Sequence, residues 1–95
     1  MKRKYEGVIV LNTRGKEDTV DTIVSKIGRD MELEGVTLEQ IDQMGKKKFP
    51  YGSKKLVEGY FVNYQIQAEP AVLDKVKSKL RLHPDVHQQT FLRID

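Results

Sequence analysis

From Tyr5 to Leu11 the apolar residues run together, Val8-Ile9-Val10-Leu11, and most are β-branched. That pattern predicts a central strand covered on both faces. Asn12 to Lys16, with Gly15, reads as a turn. The period then changes. Val20, Ile23, Val24, Ile27 and Met31 fall at i, i+3, i+4, i+7 and i+11, one apolar stripe of a helix over Asp18 to about Leu33. Glu17, Asp18 and Asp21 sit where a helix N-terminus favours negative charge, and Gly35 marks the stop. Val36 to Phe49 carries mixed signals. Val36 and Leu38 alternate, whereas Leu38, Ile41 and Met44 step by three. The expectation is one long strand with an irregularity, Gly45 marking a bulge or bend. Pro50 to Ser53 predicts a turn or loop.

Leu56 to Gln67 is the clearest strand. Tyr60, Val62, Tyr64 and Ile66 alternate with Phe61, Asn63, Gln65 and Gln67. Phe61 stands alone as an aromatic on the polar face and suggests a stacking platform or a protein-contact spot. A second helix spans Pro70 to about Arg81, with proline at its first position. Leu73, Val76 and Leu80 form its buried stripe, and Lys75, Lys77 and Lys79 point away. His83-Pro84 ends it, and Val86 to Ile94 predicts a last strand. The order is strand, helix, strand, strand, helix, strand. This is an α+β, ferredoxin-like split βαβ arrangement (βαββαβ) over residues 1–95, read as a single domain. Right-handed crossovers put both helices on one face of a four-stranded antiparallel sheet and leave the other face open.

Composition narrows the chemistry. In 95 residues there is no Cys, which removes disulfide scaffolds, zinc ribbons and thiol nucleophiles. No apolar run approaches a membrane span of roughly 20 residues. The basic start at Met1–Lys4 is cut by Glu6 and Gly7, so no signal peptide is expected. The expected setting is soluble and cytoplasmic. Phosphate-loop, dinucleotide and H-E-x-x-H motifs are missing. His83 and His87 are separated by Pro84 and read as surface residues near a turn, not as a metal pair. Neither a catalytic residue, a metal ligand nor a cofactor is expected.

Charge placement says more than the net +3. Positions 30 to 42 hold Asp30, Glu32, Glu34, Glu39 and Asp42 without a base, which reads as a solvated face. Positions 43 to 57 hold no acid but include Lys46, Lys47, Lys48, Lys54 and Lys55. Lys2, Arg3 and Lys4 form a second basic cluster. Each cluster alone reads as a solvated lysine-rich segment. If the fold joined the two, they would make a surface for a polyanion. On a strand, Lys46 and Lys48 share one side and Lys47 takes the other. Lysines beside Phe49 and Tyr51 suit RNA, with ammonium groups on phosphates and rings on unpaired bases. The alternative is that Phe49 and Tyr51 cap the edge of the core.

These residues resemble a known family. Arg3-Lys4-Tyr5-Glu6-Gly7-Val8-Ile9-Val10-Leu11, Met44-Gly45-Lys46-Lys47-Lys48-Phe49, Glu58-Gly59-Tyr60-Phe61 and Leu80-Arg81-Leu82-His83-Pro84-Asp85-Val86 are similar, in order and spacing, to the sixth protein of the bacterial small ribosomal subunit. The resemblance implies a structural, non-catalytic protein of the ribosome. It implies binding to small-subunit ribosomal RNA and pairing with the eighteenth small-subunit protein. The implied RNA contacts are Lys2, Arg3, Lys46, Lys47, Lys48, Tyr51, Lys54 and Lys55. Two places differ from the family: Phe49-Pro50-Tyr51-Gly52 stands where Leu-Ala-Tyr-Pro is usual, and Gln88 stands near a usual Arg. A monomer is expected when the chain is isolated. The rival readings on the same fold are an acylphosphatase-like hydrolase, with Arg14 and Asn63 its only candidates, and a regulatory binding module that dimerises through sheet edges.

Overall fold

The computed structural model describes residues 1–12, 20–51 and 55–95, with the backbone alone at 48–51 and 55–58. The elements are β1 (Arg3–Leu11), α1 (Val20–Leu33), β2 (Thr37–Tyr51), β3 (Lys55–Ala68), α2 (Pro70–Arg81) and β4 (Val86–Arg93). The sheet order is β2-β3-β1-β4, and every neighbouring pair is antiparallel. This is the ferredoxin-like arrangement. The expected turn at 12–16 and the first residues of the expected first helix lie largely outside the described residues.

Alternation along the strands decides which residues meet the helices. Tyr5, Ile9 and Leu11 of β1 join Val62, Tyr64, Ile66 and Ala68 of β3 in the main core. The stripes of the two helices close over them, Ile23, Val24, Ile27 and Met31 from α1 and Leu73, Val76 and Leu80 from α2. Tyr64 is fully buried, and its hydroxyl donates to the Val24 carbonyl at 2.8 Å. Helix α1 ends in a Schellman motif: Gly35 N–H donates to Glu32 O, and Val36 N–H to Met31 O. Helix α2 starts with Pro70 in its first turn, and Lys79 and Arg81 lie in its last turn beside the exposed carbonyls. The C-terminal residues fold back on β1. Ile94 N–H donates to Lys4 O at 2.9 Å, and Arg93 Nε donates to Asp95 Oδ1 at 2.9 Å. That bond with Arg93 holds the Asp95 carboxyl below the usual carboxylate range. Among the described residues no helix is long and apolar enough to cross a membrane.

Three expectations change. Strand β2 runs through Pro50 to Tyr51, where a turn or loop is expected, and the rest of that expected turn, Gly52 and Ser53, lies outside the described residues. Proline is tolerated there because β2 is an edge strand. Phe61 is not an exposed platform. It is 3% exposed and lies against Val10, which is 1% exposed, on the sheet face away from the helices. The unbroken run Val8–Leu11 supplies its neighbours, because β1 is apolar on both faces. The two basic clusters do not meet, for a reason of register given below.

Candidate nucleic-acid interface

The pairing of β2 with β3 outlasts that of β1 with β3. The β1–β3 ladder stops at Leu11 opposite Tyr60, while β2 continues from Lys46 opposite Tyr60 to Tyr51 opposite Lys55. Five residues of β3, Lys55 to Gly59, therefore have β2 on one side and no β1 partner on the other. This two-stranded ribbon, 45–51 with 55–59, is called the arm.

Two glycines set its root. Gly45 has φ +88°, in the left-handed region that a side chain rarely adopts, and the register of β2 shifts between Gln43 and Gly45. Met44 is the extra residue of that bulge and is 38% exposed. On the other strand, a Cβ at Gly59 would lie 2.6 Å from Val10 Cγ1 and 2.8 Å from the Leu11 carbonyl oxygen. Only a residue without a side chain lets the end of β1 pass so close.

The arm collects most of the expected site. Lys46 stands opposite Tyr60, Lys47 opposite Gly59 and Lys48 opposite Glu58. This is the alternation expected for three consecutive lysines on a strand. Lys46 and Lys47 are exposed. Tyr51 and Lys55 are paired at the far end of the arm; like Lys48, they are described by backbone alone. Lys54 lies outside the described residues.

Lys2 and Arg3 are elsewhere. Arg3 stands opposite Ala68, eight residues along β3 from Tyr60. At about 3.4 Å per residue that is roughly 27 Å. Lys2 Nζ donates to Thr37 Oγ1 at 3.3 Å, at the start of β2, and the terminal ammonium lies 3.8 Å from Glu69. Antiparallel pairing with β3 carries the two basic segments to opposite ends of the sheet. They do not form one surface.

Of the remaining candidates, Asn63 and His83 make local hydrogen bonds. Asn63 Nδ2 donates to Glu6 Oε1 across the open face, and Arg14 lies outside the described residues. His83 Nδ1 accepts the Asp85 N–H at 3.2 Å within a turn, and His87 is exposed. Among the described residues no cluster of His, Asp or Glu could hold a metal ion. In the acidic stretch, Glu34 pairs with Lys79 at 3.4 Å, and Asp42 accepts from Gln40. Gln88 stands opposite Val10, and its Oε1 is buried without a partner among the described residues.

Sequence reasoning passed over Gln43. Its Oε1 accepts the Tyr60 hydroxyl at 2.7 Å, and its Nε2 donates to Asp21 Oδ1 at 3.1 Å. A lone glutamine beside a predicted bulge gives no periodic signal, so only the structure shows it.

Comparison with known proteins agrees with this architecture. The family model described as Ribosomal protein S6 matches residues 4–93. Small ribosomal subunit protein bS6 of Akkermansia muciniphila is 34% identical over 89 residues, covering 94% of this chain and 95% of that protein. The bS6 protein of Carboxydothermus hydrogenoformans is 30% identical over 95 residues, covering 100% and 99%. The crystal structure of 30S ribosomal protein S6 from Thermotoga maritima superposes with a TM-score of 0.82 at 20% sequence identity, covering 99% of this chain and 89% of that one. That last likeness shows a shared fold.

Proposed function

Because the chain belongs to the ribosomal protein S6 family of the small ribosomal subunit, we propose that it docks its β2–β3 arm on small-subunit ribosomal RNA. The family is structural and not enzymatic, so the hydrolase reading is set aside. The observation that carries the proposal is the basic arm itself. Lys46, Lys47, Lys48 and Lys55 are brought onto one short ribbon whose only acid is Glu58. A ribbon with cations on both faces can reach phosphates on either side of it. Such contacts position a protein on RNA without reading its sequence. Tyr51, at the far end of the arm, belongs to the same proposal as a stacking group, and Lys54 as a further cation.

Lys2 and Arg3 enter as a separate contact at most, because their register places them at the other end of the sheet. Pairing with the eighteenth small-subunit protein is the second part of the proposal. A partner that touches both this chain and the RNA would raise the affinity of the pair for RNA, because the two contacts then act as one multivalent site. The setting that follows is the ribosome, and the isolated chain is expected to elute as a monomer.

A pull-down from bacterial extract at low salt tests the reading. The parent chain should retain small-subunit RNA and a small basic protein. Lys46→Ala with Lys48→Ala should lose most of the RNA. Retention of RNA by this variant at the parental level would contradict the role of the arm.

A further inference from the structure

We infer that Gln43 is a positioning residue that fixes the direction of the arm relative to the body. The inference rests on the arm being the RNA-docking element. Gln43 is the last residue of β2 before the bulge, and Gly45, at φ +88°, is where the strand turns into the arm. A bulge bends its strand and raises the local twist. Beyond this bend β1 no longer pairs with β3, so among the described residues no second strand holds the arm in place.

The side-chain amide of Gln43 bridges the elements that meet at this point. Its Oε1 accepts from Tyr60 Oη at 2.7 Å, and its Nε2 donates to Asp21 Oδ1 at 3.1 Å. Tyr60 is the cross-strand partner of Lys46, and its ring packs on the main core. Asp21 lies in the first turn of α1. The relay therefore runs from β3 through β2 to α1 across the root of the arm, using both functional atoms of the amide. Gly59, next to Tyr60, presses the same root against Val10 and the Leu11 carbonyl. With its root held on two sides, the arm keeps one orientation relative to the body, so less orientational freedom is lost on docking.

Two measurements on the full chain test this. The chain has no cysteine, so Lys47→Cys with Lys75→Cys gives a clean spin-label pair between arm and body. In Tyr60→Phe and Gln43→Met the arm–body distance distribution should broaden or shift. In Asp21→Asn, which keeps an acceptor for Nε2, it should stay parental. In the unlabelled proteins, affinity for a small-subunit RNA fragment should fall about two- to tenfold in Tyr60→Phe and Gln43→Met. The log–log salt slope should stay the same, because no phosphate contact is removed. A parental distance distribution in both variants overturns the inference. So does a loosened arm that binds with parental affinity. If the parent binds no RNA, the docking reading of the arm fails, and the distance distribution alone decides whether Gln43 fixes its direction.

Discussion

Tyr64 places a hydroxyl in the middle of the apolar core and satisfies it with one bond, to Val24 O at 2.8 Å. Removing the hydroxyl leaves a carbonyl that already belongs to α1, so the cost is that of one hydrogen bond. Tyr64→Phe should destabilise by about 1 kcal/mol, a drop of about 4–8 °C in Tm at this size. Burial also pushes the phenol well above its ordinary value near 10. The neutral form is the one the folded state favours. Stability from this group is therefore complete below pH about 10 and declines as pH rises through that value, where only the unfolded chain ionises. Urea titrations between pH 8 and 11 should show that decline in the parent and a smaller one in Tyr64→Phe. Phe61 makes a different case. Alternation on β3 put it on the polar face, and that assignment is correct. What β3 alone could not show is that Val10 stands opposite it on the neighbouring strand. Phe61→Ala should cost about 3 kcal/mol or more in denaturant unfolding, as a core residue does, with little change in RNA binding once the protein is folded.

At the scale of elements, periodicity gave β3, α2 and the described part of α1 nearly to the residue, because each helix buries one stripe and β3 turns alternate apolar residues to the main core. β2 was harder to read because two register shifts, after Leu38 and after Gln43, break its alternation and mimic a helical step. Gly45 was still a usable signal, and it does carry the bend. Pro50 misled because proline marks turns in general, whereas an edge strand can accept it without losing a ladder bond. The arm itself could not be read from sequence. It arises from the difference in length between two ladders, and ladder length is a property of pairing. Gly59→Ala tests how tightly the arm's root is fitted. The added methyl meets the Leu11 carbonyl and Val10, so the variant should lose about 1–3 kcal/mol. Amide exchange should speed up most at the ends of β1 and β3 that flank residue 59.

The whole molecule is electrically uneven in a way that net charge conceals. Its basic arm and basic amino end are roughly 27 Å apart along the sheet, since Lys46 faces Tyr60 and Arg3 faces Ala68. The sequence showed both clusters and the strand order, but not that the pairing separates them. At an ionic strength near 0.15 M the screening length is about 8 Å, so the two ends act independently on a polyanion. The most direct test is the salt dependence of binding to a small-subunit ribosomal RNA fragment, compared for the parent, for Lys46→Ala with Lys48→Ala, and for Lys2→Ala with Arg3→Ala. Each lost phosphate contact lowers the log–log slope by about 0.7–0.9. The arm variant should lose about 1.4–1.8 in slope and bind weakly, while the amino-end variant keeps the parental slope. A slope lost in the amino-end variant and kept in the arm variant would contradict the account.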